Sequence, residues 1–123
     1  MASVDDVREL ASGLPRSYEV LVRDRVKFRV GRIVYVAFSA DERVMEFAFP
    51  KEEREALVAA EPGKFQMPRT SDLRYNWVGV RLGAISPAEA RELVLDAWRM
   101  VVPKRVAAAY LASPGASPER PAG

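Results

Sequence analysis

Residues 23–50 constrain the fold most, because apolar and polar side chains alternate there between closely spaced turns. In the first strand of this block, Lys27 and Arg29 alternate with apolar neighbours, and a two-residue turn at Gly31-Arg32 follows. The predicted strands of the block are residues 26–30, 33–38 and 44–49. Period-two alternation directs one set of side chains into a core and leaves the other set outside.

Helix signals flank this block on both sides. Ser3 is a predicted N-cap, and Ser86-Pro87-Ala88-Glu89 reads as a capping box with proline at the first helical position. The predicted helices are residues 4–12, 51–60, 87 to about Pro103, and 104–111. Further strands are predicted at residues 17–22, 65–67 and 75–82.

The order of these elements predicts a two-layer α+β fold. Strands that follow one another through short turns form a mostly antiparallel sheet, and helices then cover one of its faces. The 123 residues are enough for one domain with a single core, which we assign to residues 1–111. Residues 112–123 are rich in Pro, Gly and Ser and are predicted to be a disordered tail.

Composition excludes several kinds of chemistry. The chain has no cysteine and no histidine, which removes disulfides, thiolate metal sites and the commonest general base. No cofactor, metal or catalytic site is predicted. No apolar run approaches the roughly 20 residues of a membrane span. The polar, acidic N-terminus is unlike a signal peptide, so we expect a cytoplasmic protein without a membrane partner.

Charge is unevenly distributed although the net charge is only +2. Residues 16–32 hold six basic residues against two acids, and residues 64–81 hold four against one. Residues 41–61 reverse the balance, with seven acids against three bases. We therefore expect a polarised surface.

The sheet face away from the helices is predicted to carry this basic charge together with aromatic side chains. Alternation leaves Lys27, Arg29, Arg81, Tyr75 and Trp77 on that face. Tyr35 joins them if Val34, Val36 and Phe38 point inward. Such a face suits nucleic acid or a protein partner. Three other interpretations remain. A loop of the chain covers this face, the Arg residues form ion pairs with Asp24 or Glu46, or Trp77 is semi-buried by packing within the fold.

Four segments, RVKFRVGRIVYVAF, FAFPKEEREAL, LRYNWVGVRL and LVLDAWRMVVPKR, resemble the YjbR/MmcQ-like family over residues 3–110. The signature is the run from Phe28 to Ile33, joined with Asn76-Trp77-Val78. The resemblance implies a small α+β domain with a central antiparallel sheet, and members are commonly described as DNA-binding proteins. No catalytic residue set accompanies it. Many relatives carry a Ser-Tyr pair where this chain has Ala97-Trp98.

These observations predict a non-enzymatic binding protein that contacts DNA through a basic and aromatic sheet and loop surface, with low sequence specificity. The candidate contact residues are Arg23, Arg25, Lys27, Arg29, Arg32, Arg69, Arg74, Trp77 and Arg81. The alternative is a protein-interaction or homodimerisation module that uses the aromatic sheet face.

Overall fold

The structure, a computed structural model, describes residues 1–112. The elements in chain order are α1 (Val4–Ala11), β1 (Ser17–Val22), β2 (Arg25–Val30), β3 (Ile33–Phe38), β4 (Val44–Ala48), α2 (Lys51–Ala60), β5 (Phe65–Gln66), β6 (Trp77–Arg81), α3 (Pro87–Arg99) and α4 (Lys104–Ala112). Short 3₁₀ turns cover Thr70–Asp72 and Leu82–Ala84.

All six strands form one antiparallel sheet in the order β1-β2-β3-β4-β6-β5. Tight turns join β1 to β2 and β2 to β3. Arg23 and Asp24 both have positive φ, as a type I′ hairpin turn requires, and Gly31 has a φ of 61°. The helices pack on one face, so the predicted two-layer α+β fold is confirmed.

The core lies between the sheet and the helices. Val36, Phe38, Met45 and Phe47 project from the two central strands towards α3 and are all at most 1% exposed. α3 packs across these strands with its apolar side, and α1 packs against α3. We call the opposite face of the sheet, which carries Lys27, the outer face.

Local capping explains where two helices begin. The Ser3 hydroxyl accepts from the Asp6 amide, and the Asp6 carboxylate accepts in return from the Ser3 amide. Ser86 and Glu89 make the same reciprocal pair at α3. Both predicted N-termini are therefore confirmed.

Several element boundaries differ from the prediction, most of them by one residue, whereas α3 ends at Arg99 instead of near Pro103. β6 begins at Trp77, because the Tyr75 carbonyl is turned towards α2, where it accepts from Arg54, and the Asn76 carbonyl accepts from the Phe49 amide just beyond the end of β4. Leu82 opens a 3₁₀ turn instead of ending the strand. Ala112, assigned to the tail, ends α4. The remaining predicted tail, residues 113–123, lies outside the described residues. No helix within residues 1–112 is both long and apolar enough to cross a bilayer.

The outward orientation predicted for Tyr35 is wrong. A β-bulge in β3, opposite Phe28 and Arg29 of β2, shifts the register, so that Phe28 faces Val36 while Arg29 faces Val34. Tyr35 is the extra residue, and it is fully buried with its hydroxyl 2.5 Å from the Ser17 hydroxyl. Burial raises the pKa of Tyr35 to about 12. Alternation alone could not locate this bulge, because β3 is apolar on both faces.

Candidate functional site

Three basic side chains of β2 share the outer face, and we call Arg25, Lys27 and Arg29 the cation row. They alternate with Val26 and Phe28, which enter the core. Two residues of extended strand separate neighbouring members, so their Cα atoms are about 7 Å apart. Across β1 the row faces Val22, Val20 and Tyr18 in turn. Period-two alternation thus places the three cations in one line.

Arg25 is held by partners within the sheet. Its Nε donates to the Phe38 carbonyl at 2.9 Å, and Nη2 lies 3.6 Å from the Glu46 carboxylate. The side chain therefore spans β3 and reaches β4. These contacts give Arg25 a structural role. They also engage Glu46, which is the one acidic residue of β4 that faces the row.

Lys27 and Arg29 lack such partners. Neither forms an ion pair within 4 Å among the described residues. The Arg29 Nε is buried and has no hydrogen-bond partner among residues 1–112. The pKa of Lys27 is lowered, first because its ammonium is partly removed from water and then because Arg25 and Arg29 stand close by. Lys27 and Arg29 thus carry positive charge that Glu46, already paired with Arg25, offsets only in part.

Replacing Lys27 by methionine is expected to leave the melting temperature at pH 7 unchanged or to raise it. A lowered pKa means that the folded chain holds this proton less tightly than the unfolded chain, so the charged ammonium costs stability at neutral pH. The cost disappears as pH rises towards the ordinary lysine value of 10.5, and the advantage of methionine should shrink with it. Thermal unfolding at pH 7 and pH 10 measures both effects.

Arg25→Met is the matched control, because it removes a cation of the same row that does have partners. It should lower the melting temperature by removing the bonds to Phe38 and Glu46. A clear loss of stability in Lys27→Met at pH 7 would contradict the assignment of Lys27 as an unneutralised charge.

A cleft borders the cation row on the outer face. Residues 66–69 turn from β5 over β6, where Gln66 crosses Gly79 so closely that a Cβ at Gly79 would lie 2.9 Å from the Gln66 Cγ. The cleft has a volume of about 360 Å³. It is lined by Arg25, Ser39, Ala40, Val44, Glu46, Gln66, Met67, Pro68 and Arg69. A loop thus covers the β4–β6 half of the outer face, and the β1–β3 half with the row stays open.

Turns and strand ends hold three other predicted contact residues away from the row. Arg23 is in the β1–β2 turn and Arg32 in the β2–β3 turn, at opposite ends of the sheet. Arg81 lies three strands from β2, about 14 Å away, and its Nη1 donates to the Pro62 carbonyl at 3.1 Å. Of these three, Arg23 contributes to the repulsion at Lys27.

The loop before β6 holds the remaining candidates. Arg69 lines the cleft and lies 3.6 Å from the Asp72 carboxylate, so Asp72 braces the loop. Arg74 stacks on the Tyr75 ring, with 4.8 Å from guanidinium carbon to ring centroid. Trp77 is half-buried beside Ala48 at the far end of β6. The structure therefore unites Arg25, Lys27 and Arg29, places Arg69 across the cleft, and leaves Arg74 and Trp77 at the margin.

Sequence reasoning missed the residue that holds this loop, Arg54. Its side chain is buried, and its guanidinium donates to the carbonyls of Leu73, Tyr75 and Trp77. Asn76 assists, because its Oδ1 accepts from the Lys51 amide at 3.0 Å and so caps α2. No local signal marks Arg54, since it lies among exposed acids in a helix whose polar side reads as solvated.

Comparison with known proteins agrees with this architecture. A central antiparallel sheet with helices on one face, and an opposite face that is open over its β1–β3 half, defines a class of small α+β domains. The YjbR family model matches residues 12–100, and this chain belongs to the YjbR family. Within the part of the chain that the structure describes, no three carboxylates converge on a possible metal position.

Similar proteins are known from three bacteria. The chain is 31% identical to uncharacterized protein Rv2570 of Mycobacterium tuberculosis and to Mb2600 of Mycobacterium bovis, over 94% of this chain and all of each relative. The crystal structure of Deinococcus radiodurans protein DR2400, a DUF419 domain, superposes with a TM-score of 0.71 at 25% identity. That match covers 85% of this chain and 82% of DR2400.

Proposed function

We propose that the open half of the outer face binds DNA through its phosphates, with Lys27 and Arg29 as the central contacts. The observation that carries the proposal is the charge of these two half-buried neighbours, which have no ion pair among the described residues, on the open half of the outer face. A phosphate placed there accepts hydrogen bonds from both side chains and relieves their mutual repulsion. Arg23 and Arg69 extend the positive field along the turn and across the cleft.

This binding is expected to be weakly selective for sequence. The helices of residues 1–112 pack on the other face of the sheet, so none of them is available at this surface to enter a major groove and read base edges. Contacts with phosphates fix position without reading sequence. The proposed role involves no catalytic step and no metal or cofactor. A cytoplasmic location belongs to the same proposal.

The test is a titration of a fluorescent mixed-sequence DNA duplex with the protein at several salt concentrations. We expect non-specific affinity, with a dissociation constant on the order of 10⁻⁴ to 10⁻⁶ M at physiological salt. Lys27→Glu combined with Arg29→Glu should weaken binding at least about tenfold. The double variant should also reduce the slope of log affinity against log salt by about 2, because each lost phosphate contact removes roughly 0.9.

The matched control is Lys104→Glu with Arg105→Glu, an equal charge change on two exposed residues of α4 in the helical layer. It should retain most of the affinity. Absence of binding at about 50 mM salt would refute the proposal, and so would an equal loss in both double variants, which would indicate a response to net charge alone.

The alternative of a protein-binding aromatic face has less support. Tyr35 lies in the core, Tyr75 lies in the loop under Arg74, and Trp77 is half-buried at one end of its strand. The aromatic side chains therefore do not form one patch, whereas the basic side chains form a row.

A further inference from the structure

The free edge of the sheet at β1 carries unpaired backbone groups. The two-residue turn at Arg23-Asp24 makes Val22 and Arg25 a hydrogen-bonded pair, so the backbone of Glu19 and Leu21 points away from β2. The Ser17 amide, which has the same orientation, donates to the Leu14 carbonyl at 3.1 Å. Within residues 1–112, no backbone hydrogen bond outside the sheet ladder engages the groups of Glu19 or Leu21.

This edge also lacks the features that usually prevent a strand of another chain from pairing with it. It has no lysine, proline or bulge over its six residues. The Leu21 side chain is 69% exposed. Glu19 is its one charged residue, and Arg8 of α1 holds that carboxylate with bonds of 2.8 and 3.1 Å. An extended strand can therefore approach β1 without meeting a free charge.

We propose that β1 pairs antiparallel with β1 of a second copy of this chain, with Val20 opposite Val20 at a two-fold axis. An axis perpendicular to the sheet requires opposed residues to lie on the same face. This register meets that condition: Tyr18 faces Val22 of the second copy on the outer face, and Glu19 faces Leu21. The unpaired amides and carbonyls of Glu19 and Leu21 then bond each other across the axis.

Charges at the strand ends favour the same register. It brings Arg16 to the β1–β2 turn of the second copy, where Asp24 is exposed beside Arg23, and neither Arg16 nor Asp24 has an ion pair among the described residues. A shift of two residues in one direction sets Glu19 against Glu19. A shift in the other direction leaves only Val20 to Val22 overlapping in the strands. The Val20-centred register overlaps Tyr18 to Val22, five of the six residues of β1, and keeps the two Glu19 carboxylates apart.

The result is one continuous sheet made of two six-stranded halves, with both outer faces on the same side. Three strand spacings separate the two β2 strands, so the two cation rows lie about 14 Å apart. The pairing buries less area than a standard interface, and we expect a dimer that forms with rising concentration. This inference does not depend on DNA binding.

Sedimentation velocity of the full chain over a wide concentration range tests the pairing. The sedimenting mass should rise from 13.7 kDa towards twice that value. Val20→Lys puts two like charges face to face at the axis and should raise the dissociation constant at least about tenfold. Ile33→Lys is the control, because Ile33 is 55% exposed on β3, away from the edge. A chain that stays monomeric throughout, or a dimer that tolerates Val20→Lys, would overturn the proposal.

A charge exchange tests the register itself. Arg16→Asp alone and Asp24→Arg alone each oppose like charges and should weaken the dimer. The two together restore opposite charges and should recover it. Circular dichroism of every variant checks that the fold is retained. Failure of the double variant to recover dimerisation, with the fold intact, would refute the Val20-centred register.

Discussion

Replacing Arg54 by leucine is expected to lower the free energy of unfolding by about 3 kcal/mol. Arg54 is 6% exposed, and its guanidinium donates hydrogen bonds to three backbone carbonyls at the end of the loop and the start of β6. Hydrogen bonds from a charged donor are the stronger kind, and loss of the donor leaves buried acceptors unsatisfied. Urea unfolding followed by circular dichroism measures the change.

Two control variants show whether the loss comes from the hydrogen bonds of Arg54. One keeps the positive charge, and the other makes the same substitution at an exposed position of a helix. Arg54→Lys keeps the charge but replaces a planar fork by a single ammonium, so we expect it to lose about half as much stability. Arg99→Leu makes the same residue change at an exposed position of α3 and should alter stability by about 0.5 kcal/mol or less. A loss below about 1 kcal/mol for Arg54→Leu would show that Arg54 does not anchor the loop.

The effect of Arg54→Leu should be greatest in the loop that it holds. Hydrogen exchange should accelerate most at the amides of residues 70–77, because the carbonyls that fix this segment on α2 have lost their donor. The segment carries Arg74 and ends at Trp77, so Arg54 positions the margin of the proposed DNA surface without touching it.

Replacing Trp98 by alanine is expected to cost about 4 kcal/mol of stability. Trp98 is fully buried on α3, and its ring meets the Tyr110 ring edge-on at 5.3 Å between centroids. Its Nε1 donates to the Pro15 carbonyl at 2.9 Å. One side chain thus joins α3, α4 and the segment between α1 and β1, and its removal leaves a cavity at their junction. Thermal and urea unfolding both report the loss.

Trp98→Phe distinguishes packing from hydrogen bonding. It preserves most of the ring contact but leaves the Pro15 carbonyl without its donor, so we expect a loss of about 1–2 kcal/mol. Trp77→Phe, on a half-buried tryptophan of β6, should cost less than about 1 kcal/mol. Equal losses at the two positions would be inconsistent with the role given to Trp98.

Part of the candidate site could be predicted from local pattern alone. Alternation along β2 put Lys27 and Arg29 on one face, and that placement is what the structure has. The partners of each cation could not be predicted in this way. Arg25 pairs with Glu46 two strands away and bonds to the Phe38 carbonyl, and Arg81 donates to the Pro62 carbonyl. Nothing in the sequence distinguishes these two arginines from Lys27, which has no such partner within residues 1–112. Which charges stay unpaired depends on contacts between distant segments.

The sequence by itself determined the elements, the tight turns between β1, β2 and β3, and the two capped helices, because hydrophobic period, turn residues and caps act over a few neighbouring residues. Tertiary structure alone decided that β6 lies between β4 and β5, that a bulge turns Tyr35 into the core, and that Arg54 is buried beneath a loop. Each of these depends on which distant backbone groups find partners, and local periodicity carries no information about such pairings.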